Sequence, residues 1–139
     1  MSKETVFKKT GPVGDPVELP SGGFAPLSQG YIAGDFLFLS GQLPFEPDGT
    51  LCAGDIELQT RLCLERLEAV LAERGFDRSS IVKATIWLTD SSEFSGFNSA
   101  YTKFFGDHRP ARSTVRSDLV LPGARVEIEA IALIAPEGD

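Results

Sequence analysis

One histidine, His108, and two cysteines, Cys52 and Cys63, are all the imidazole and thiol in this chain of 139 residues. The cysteines form no CxxC pair or metal-ligand array, so both are expected to be free thiols and no metal site is expected. No apolar run is long enough to cross a bilayer, and the start "MSKETVFKKT" lacks the apolar core and cleavage site of a secretory signal. The expected address is the cytoplasm, with no membrane partner. Basic runs are missing too: 13 Lys and Arg against 20 Asp and Glu give a formal charge of −7. Such a chain repels polyphosphates, so no nucleic acid partner is expected. Neither a repeat nor a low-complexity tract interrupts it, and with 42% hydrophobic residues it fits one compact domain over residues 1–139.

What is present reads as alternating strands and helices. Residues 11–26, "GPVGDPVELPSGGFAP", hold four of the nine prolines and four of the fourteen glycines. Residues 1–26 are therefore expected to form an irregular N-terminal arm, with "TVFKK" as a candidate short edge strand. "GYIAGDFLFLSGQ" predicts two strands turning at Gly34-Asp35. Asp55 can cap a helix carrying Ile56, Cys63, Leu67, Val70 and Leu71 on one stripe and Arg61, Glu65, Glu68 and Glu73 on the other side, ended by Gly75.

"IVKATIWL" alternates, placing Val82, Ala84, Ile86 and Leu88 on one face of a strand and Lys83, Thr85 and Trp87 on the other. Asp90 and Glu93 have capping-box spacing before a second helix, whose aromatic stripe of Phe94, Phe97, Tyr101, Phe104 and Phe105 is expected in the core. "ARSTVRS" and "ARVEIEAIALIA" are two last strands, expected to pair antiparallel across a proline-glycine connection. Because strand-helix-strand crossovers are right-handed, both helices should cover one face of a single mixed sheet. The other face would carry Trp87 together with either Ile131 and Leu133 or Val126, Ile128 and Ala130, too apolar for water, which implies a partner subunit.

Charges sit inside those last strands. Alternation puts Arg112, Thr114 and Arg116 on one face, and Glu127 and Glu129 on a face with Ile131 and Leu133. Cross-strand ion pairing at a sheet edge accounts for this pattern. So does a small cleft where a guanidinium grips a carboxylate and a glutamate orients water and accepts a proton. Spacing does not choose between them.

The runs "SQGYIAGDFLFLSGQLP", "FNSAYTKFF", "PARSTV" and "VEIEAIA" resemble, in order and spacing over roughly residues 24–135, the signature segments of the Rid/YjgF family of small trimeric enamine and imine deaminases. The resemblance implies an α+β fold: a single mixed six-stranded sheet with two helices on one face, chorismate-mutase-like, in a homotrimer with sites between subunits. It implies that Arg112 holds the substrate carboxylate and that Glu127, with Glu129 as its rival, positions the hydrolytic water. It further implies that Ser40, Gly41 and Asn98 line the pocket. Where deaminating relatives usually carry tyrosine before "SQG" this chain has Leu27, and where they often carry cysteine two places after the arginine it has Thr114, whose main-chain carbonyl would hold the water.

The implied reaction is hydrolysis of a small 2-imino acid or its enamine, of the 2-aminoacrylate/2-iminopropanoate type, to the 2-keto acid and ammonia, with no cofactor. Two alternatives remain: a non-catalytic carboxylate-binding or chaperone-like trimer, and a deaminase for a bulkier enamine, such as an aminomuconate-like compound, admitted by Leu27. A ribonuclease or translation-inhibitor role, a label carried by some relatives, fits the acidic charge poorly.

Overall fold

The structure, a computed structural model, describes residues 10–135; the candidate strand in "TVFKK" lies outside them. The described strands are β1 (Gly11–Val13), β2 (Gly30–Ala33), β3 (Phe36–Gln42), β4 (Ile81–Leu88), β5 (Ala111–Arg116) and β6 (Val126–Leu133). They form one mixed six-stranded sheet in the order β1-β2-β3-β6-β4-β5. The helices are α1 (Ile56–Ala72) and α2 (Phe94–Phe105), each preceding a strand that runs parallel to the one before it in the chain or lies one strand away.

Local chemistry fixes these elements. Gly34 turns the β2–β3 hairpin at φ 63°, a backbone region that a side chain resists. Asp55 caps α1 by accepting from the Leu58 amide at 3.0 Å. Ile56, Cys63, Leu67, Val70 and Leu71 of α1 are buried against Leu37 and Leu39 of β3 and Ile128, Ala130 and Ala132 of β6. Both helices lie on this face.

Several expectations need correction. The last two strands do not pair: β4 lies between them, parallel to β5 and antiparallel to β6. The crossover through α2 lays β5 beside β4, and the connection of residues 117–125 is long enough to pass back over that strand, about 10 Å. Within the N-terminal arm, Gly11–Val13 is a true edge strand paired with β2. Pro12 is tolerated there because an edge strand needs no amide on its open side, and Val13 plugs the core. Val82 leaves the buried face because a register shift between Ile81 and Lys83 turns it outward. Asp90 caps only the single 3-10 turn Ser91–Glu93, accepting from the Ser92 amide at 2.9 Å, while Glu93 pairs with Arg125 at 2.8 Å instead of closing a capping box. Phe94, unlike the rest of its stripe, is 43% exposed.

The uncovered face carries Ile131 and Leu133 with Trp87, the first of the two expected registers. Tyr31, Phe36, Phe38, Val115 and Leu133 are 40–47% exposed on it, with Tyr31 opposite Phe38 and Phe38 opposite Ile131. No described helix is long and apolar enough to cross a membrane.

Candidate active site

Arg112 is placed by register. It lies opposite Ala84, as Thr114 lies opposite Ile86 and Arg116 opposite Leu88, so the three side chains project from the edge strand β5 on the helix-covered face. Above them α2 offers Phe94, Phe97 and Tyr101 on one stripe, with Asn98 beside it. The Arg112 guanidinium carbon sits 4.9 Å from the Tyr101 ring centre, 5.2 Å from that of Phe97 and 5.8 Å from that of Phe94. Its Nη1 donates to Asn98 Oδ1 at 2.9 Å. Aromatic faces stabilise a cation without consuming its N–H groups. Among the described residues no carboxylate pairs with it, so most of its planar donor fork is free for an incoming carboxylate.

Thr114 contributes in two ways. The Ser117 amide donates to the Leu88 carbonyl at 2.9 Å, and in a parallel ladder this turns the backbone groups of Arg112, Thr114 and Arg116 outward along the open edge. The Thr114 carbonyl thus faces away from β4. Its hydroxyl is buried without a hydrogen-bond partner, as is that of Tyr101; such groups cost about 1–3 kcal/mol until a ligand or water engages them. Burial raises the Tyr101 pKa against the opposing charge of Arg112. A pocket of about 220 Å³, lined by Leu88, Ser91, Phe94, Thr114, Val115 and Arg116, opens beside this group.

Glu127 belongs to a second cluster. It lies opposite Trp87 on the uncovered face of β6, where burial and then the charge of Glu129 raise its pKa. β3 shifts register between Leu39 and Gln42 at this point. A Cβ on Gly41 would overlap Glu127 Oε2, so glycine here lets the carboxylate lie against the strand. Ser40 donates its hydroxyl to the Ser28 carbonyl at 2.5 Å, tying β3 to the segment before β2. Leu27, next to Ser28, is 52% exposed. Burial and then the Glu127 charge push the Cys63 thiol far above its ordinary range, leaving it protonated and unreactive.

Within one chain, then, Arg112, Thr114 and Asn98 come together, and so do Glu127, Gly41 and Ser40. The two clusters do not meet. They lie on opposite faces of the sheet, on strands separated by β4 and therefore about 10 Å apart. Cross-strand ion pairing of these charges is excluded by the same geometry. Sequence reasoning missed the cage around Arg112, having assigned Phe94, Phe97 and Tyr101 to the core alone; the available signal was Asn98 at helical spacing within that stripe.

The comparisons agree with this architecture. Residues 21–134 match the family model described as endoribonuclease L-PSP. A RutC family protein of Pyrococcus horikoshii is 37% identical over 131 residues, 94% of this chain and 97% of its own length. TdcF of Escherichia coli, whose name carries a proposed role as a reactive intermediate deaminase, is 35% identical over 115 residues, 81% of this chain and 89% of its own. Its crystal structure with bound serine superposes with a TM-score of 0.76 at 32% identity, covering 88% of this chain and 97% of that one. YyfA from Yersinia pestis, a Rid family protein of unknown function, reaches a TM-score of 0.80 at 37% identity over 91% of this chain and all of its own (100%). With this topology, these relatives and a family match over most of its length, the chain belongs to the endoribonuclease L-PSP family, the Rid/YjgF proteins.

Proposed function

We propose that this protein is a hydrolytic deaminase of small 2-imino acids and their enamine tautomers, working as a homotrimer whose sites join the Arg112 cluster of one copy to the Glu127 cluster of the next. The carrying observation is the Arg112 guanidinium, caged by three rings and bonded to Asn98 yet paired with no acid among the described residues. A guanidinium so prepared suits a small carboxylate. The deaminase role attached to TdcF and the serine in its crystal structure support that substrate class. The apolar uncovered face supports a partner copy, because side chains such as Phe36, Phe38 and Leu133 make a patch that a monomer seldom leaves in water.

In this reading Arg112 fixes the substrate carboxylate by two parallel hydrogen bonds. The Thr114 carbonyl and Glu127 hold a water at the imine carbon. Water adds across C=N to give a carbinolamine, with Glu127 taking the proton of the attacking water and returning it to nitrogen. Collapse to the 2-keto acid then expels ammonia. No cofactor is needed, since the uncatalysed reaction already proceeds in water and orientation with modest electrostatic help suffices. A carboxyl whose pKa is raised by burial is suited to both proton transfers.

The test is hydrolysis of an imine generated in situ from alanine by an amino-acid oxidase. Arg112→Ala should lower kcat/KM by about 100-fold or more, and Arg112→Lys, which keeps the charge but not the fork, by about tenfold. Equal rates in wild type and Arg112→Ala would remove the assigned chemistry. Tight binding of 2-keto acids without turnover of any imine would instead indicate a carboxylate-binding protein.

A further inference from the structure

Arg112 is not the only unpaired cation on its strand. Arg116 projects from the same face of β5, two positions beyond Thr114, and forms no ion pair among the described residues. The amide and hydroxyl of Ser92, at 2.9 and 2.8 Å, hold the Asp90 oxygen and lower its pKa, and Asp90 is near enough that the Arg116 charge helps to lower it further. Glu93 pairs with Arg125 at 2.8 Å. No carboxylate oxygen comes within ion-pair distance of Arg116 among the described residues, so its planar donor fork is open to an anionic group entering the pocket beside it.

The pocket of about 220 Å³ lies at the Arg116 end of the strand, with Thr114 separating it from the station of Arg112. Its lining is apolar at Leu88, Phe94 and Val115, and polar at Ser91, Thr114 and Arg116. Phe94 belongs to both places: its ring centre is 5.8 Å from the Arg112 guanidinium carbon, and it walls the pocket. Thr114 lines the pocket, and its hydroxyl, buried beneath that wall, has no hydrogen-bond partner. A volume below the ~300–1,000 Å³ of drug-sized sites suits a short side chain and not a whole cofactor.

We infer that this pocket is a subsite for a second acidic group of the substrate, so that the preferred imines are those of dicarboxylic amino acids. The inference rests on the deaminase reading for its substrate class. The first carboxylate lies on Arg112. The carbon chain crosses the face of Phe94 into the pocket, and the distal carboxylate accepts from the Thr114 hydroxyl and the Arg116 guanidinium.

The experiment compares 2-iminoglutarate with 2-iminopentanoate, of equal chain length, each generated in situ by an amino-acid oxidase, on wild type and Arg116→Gln. Binding of the stable product acids, 2-oxoglutarate and 2-oxopentanoate, is measured by calorimetry on the same proteins. Wild type should favour the dicarboxylic partner of each pair. Arg116→Gln should lower that preference about 10- to 100-fold, the span of one charge-assisted hydrogen-bond pair. Thr114→Val should lower it in the same direction. Turnover of both imines with no preference, or a preference untouched by Arg116→Gln, overturns the subsite and leaves the deaminase standing. An Arg116-dependent preference for 2-oxoglutarate in binding, with neither imine hydrolysed, supports the subsite and removes the deaminase.

Discussion

At the scale of single residues, the site is a problem of holding charges ready without neutralising them. Arg112 is steadied by rings and an amide, so the phenol ring of Tyr101 should matter more than its hydroxyl, which has no partner. Tyr101→Phe should therefore leave KM within about twofold, while Tyr101→Leu, losing one cation–π wall of about 0.5–2 kcal/mol, should raise KM about 2- to 30-fold with a smaller effect on kcat. If the phenylalanine variant behaves like the leucine variant, the hydroxyl and not the ring is the working part. Glu127 is the opposite case, an acid kept from ionising early by burial and by Glu129. The proposed role as water-holding base requires it to be ionised, so kcat/KM should rise with pH along a limb above the ordinary value of 4.5. Glu129→Gln removes the like charge and should move that limb down; a shift upward contradicts the assignment.

At the scale of elements, the sequence disclosed whatever depends on periodicity and caps, and concealed whatever depends on which strands become neighbours. The α1 stripe and its Asp55 cap were legible because burial and hydrogen bonding there are local. That β4 enters between β5 and β6 was not, since the turn signal at Pro122-Gly123 fits a hairpin as well as a longer return. The same ambiguity hid the separation of Arg112 from Glu127. A second element-scale feature was equally invisible: Arg78, in the 3-10 turn before β4, donates from Nε and Nη2 to the two oxygens of Glu68 at 2.9 and 2.6 Å, and from Nη1 to the Phe104 carbonyl at 2.6 Å. It staples α1 to α2.

The hydrogen bonds from Arg78 lower the Glu68 pKa, so this acid contributes stability above its unfolded value of 4.5, and that stability is lost as pH falls through the lower folded value. Glu68→Gln should cost about 1 kcal/mol at pH 7 once solvent screening of the 40% exposed Arg78 side chain is allowed for. That is a Tm loss of about 3–5 °C. The gap from wild type should close as the pH falls below 4.5; a gap of the same size throughout would assign the loss to packing.

At the scale of the whole molecule, the proposed trimer accounts for both the uncovered sheet face and the separation of Arg112 from Glu127. Under the proposed function, a chain that keeps Arg112 at an edge and Glu127 on the apolar face behind would need another copy to bring the two together. The family resemblance made this arrangement an expectation, and the register of β4 against its neighbours is what makes it a proposal here. The decisive measurement is complementation. Arg112→Ala and Glu127→Gln chains, each inactive alone, are unfolded together, refolded as mixed oligomers and assayed for imine hydrolysis. If each site draws its arginine and its glutamate from different copies, random mixing at equal amounts leaves about a quarter of the sites intact, and activity should return to about that share of wild type. No recovery in oligomers shown to be mixed would place both residues of each site in one chain and contradict the account.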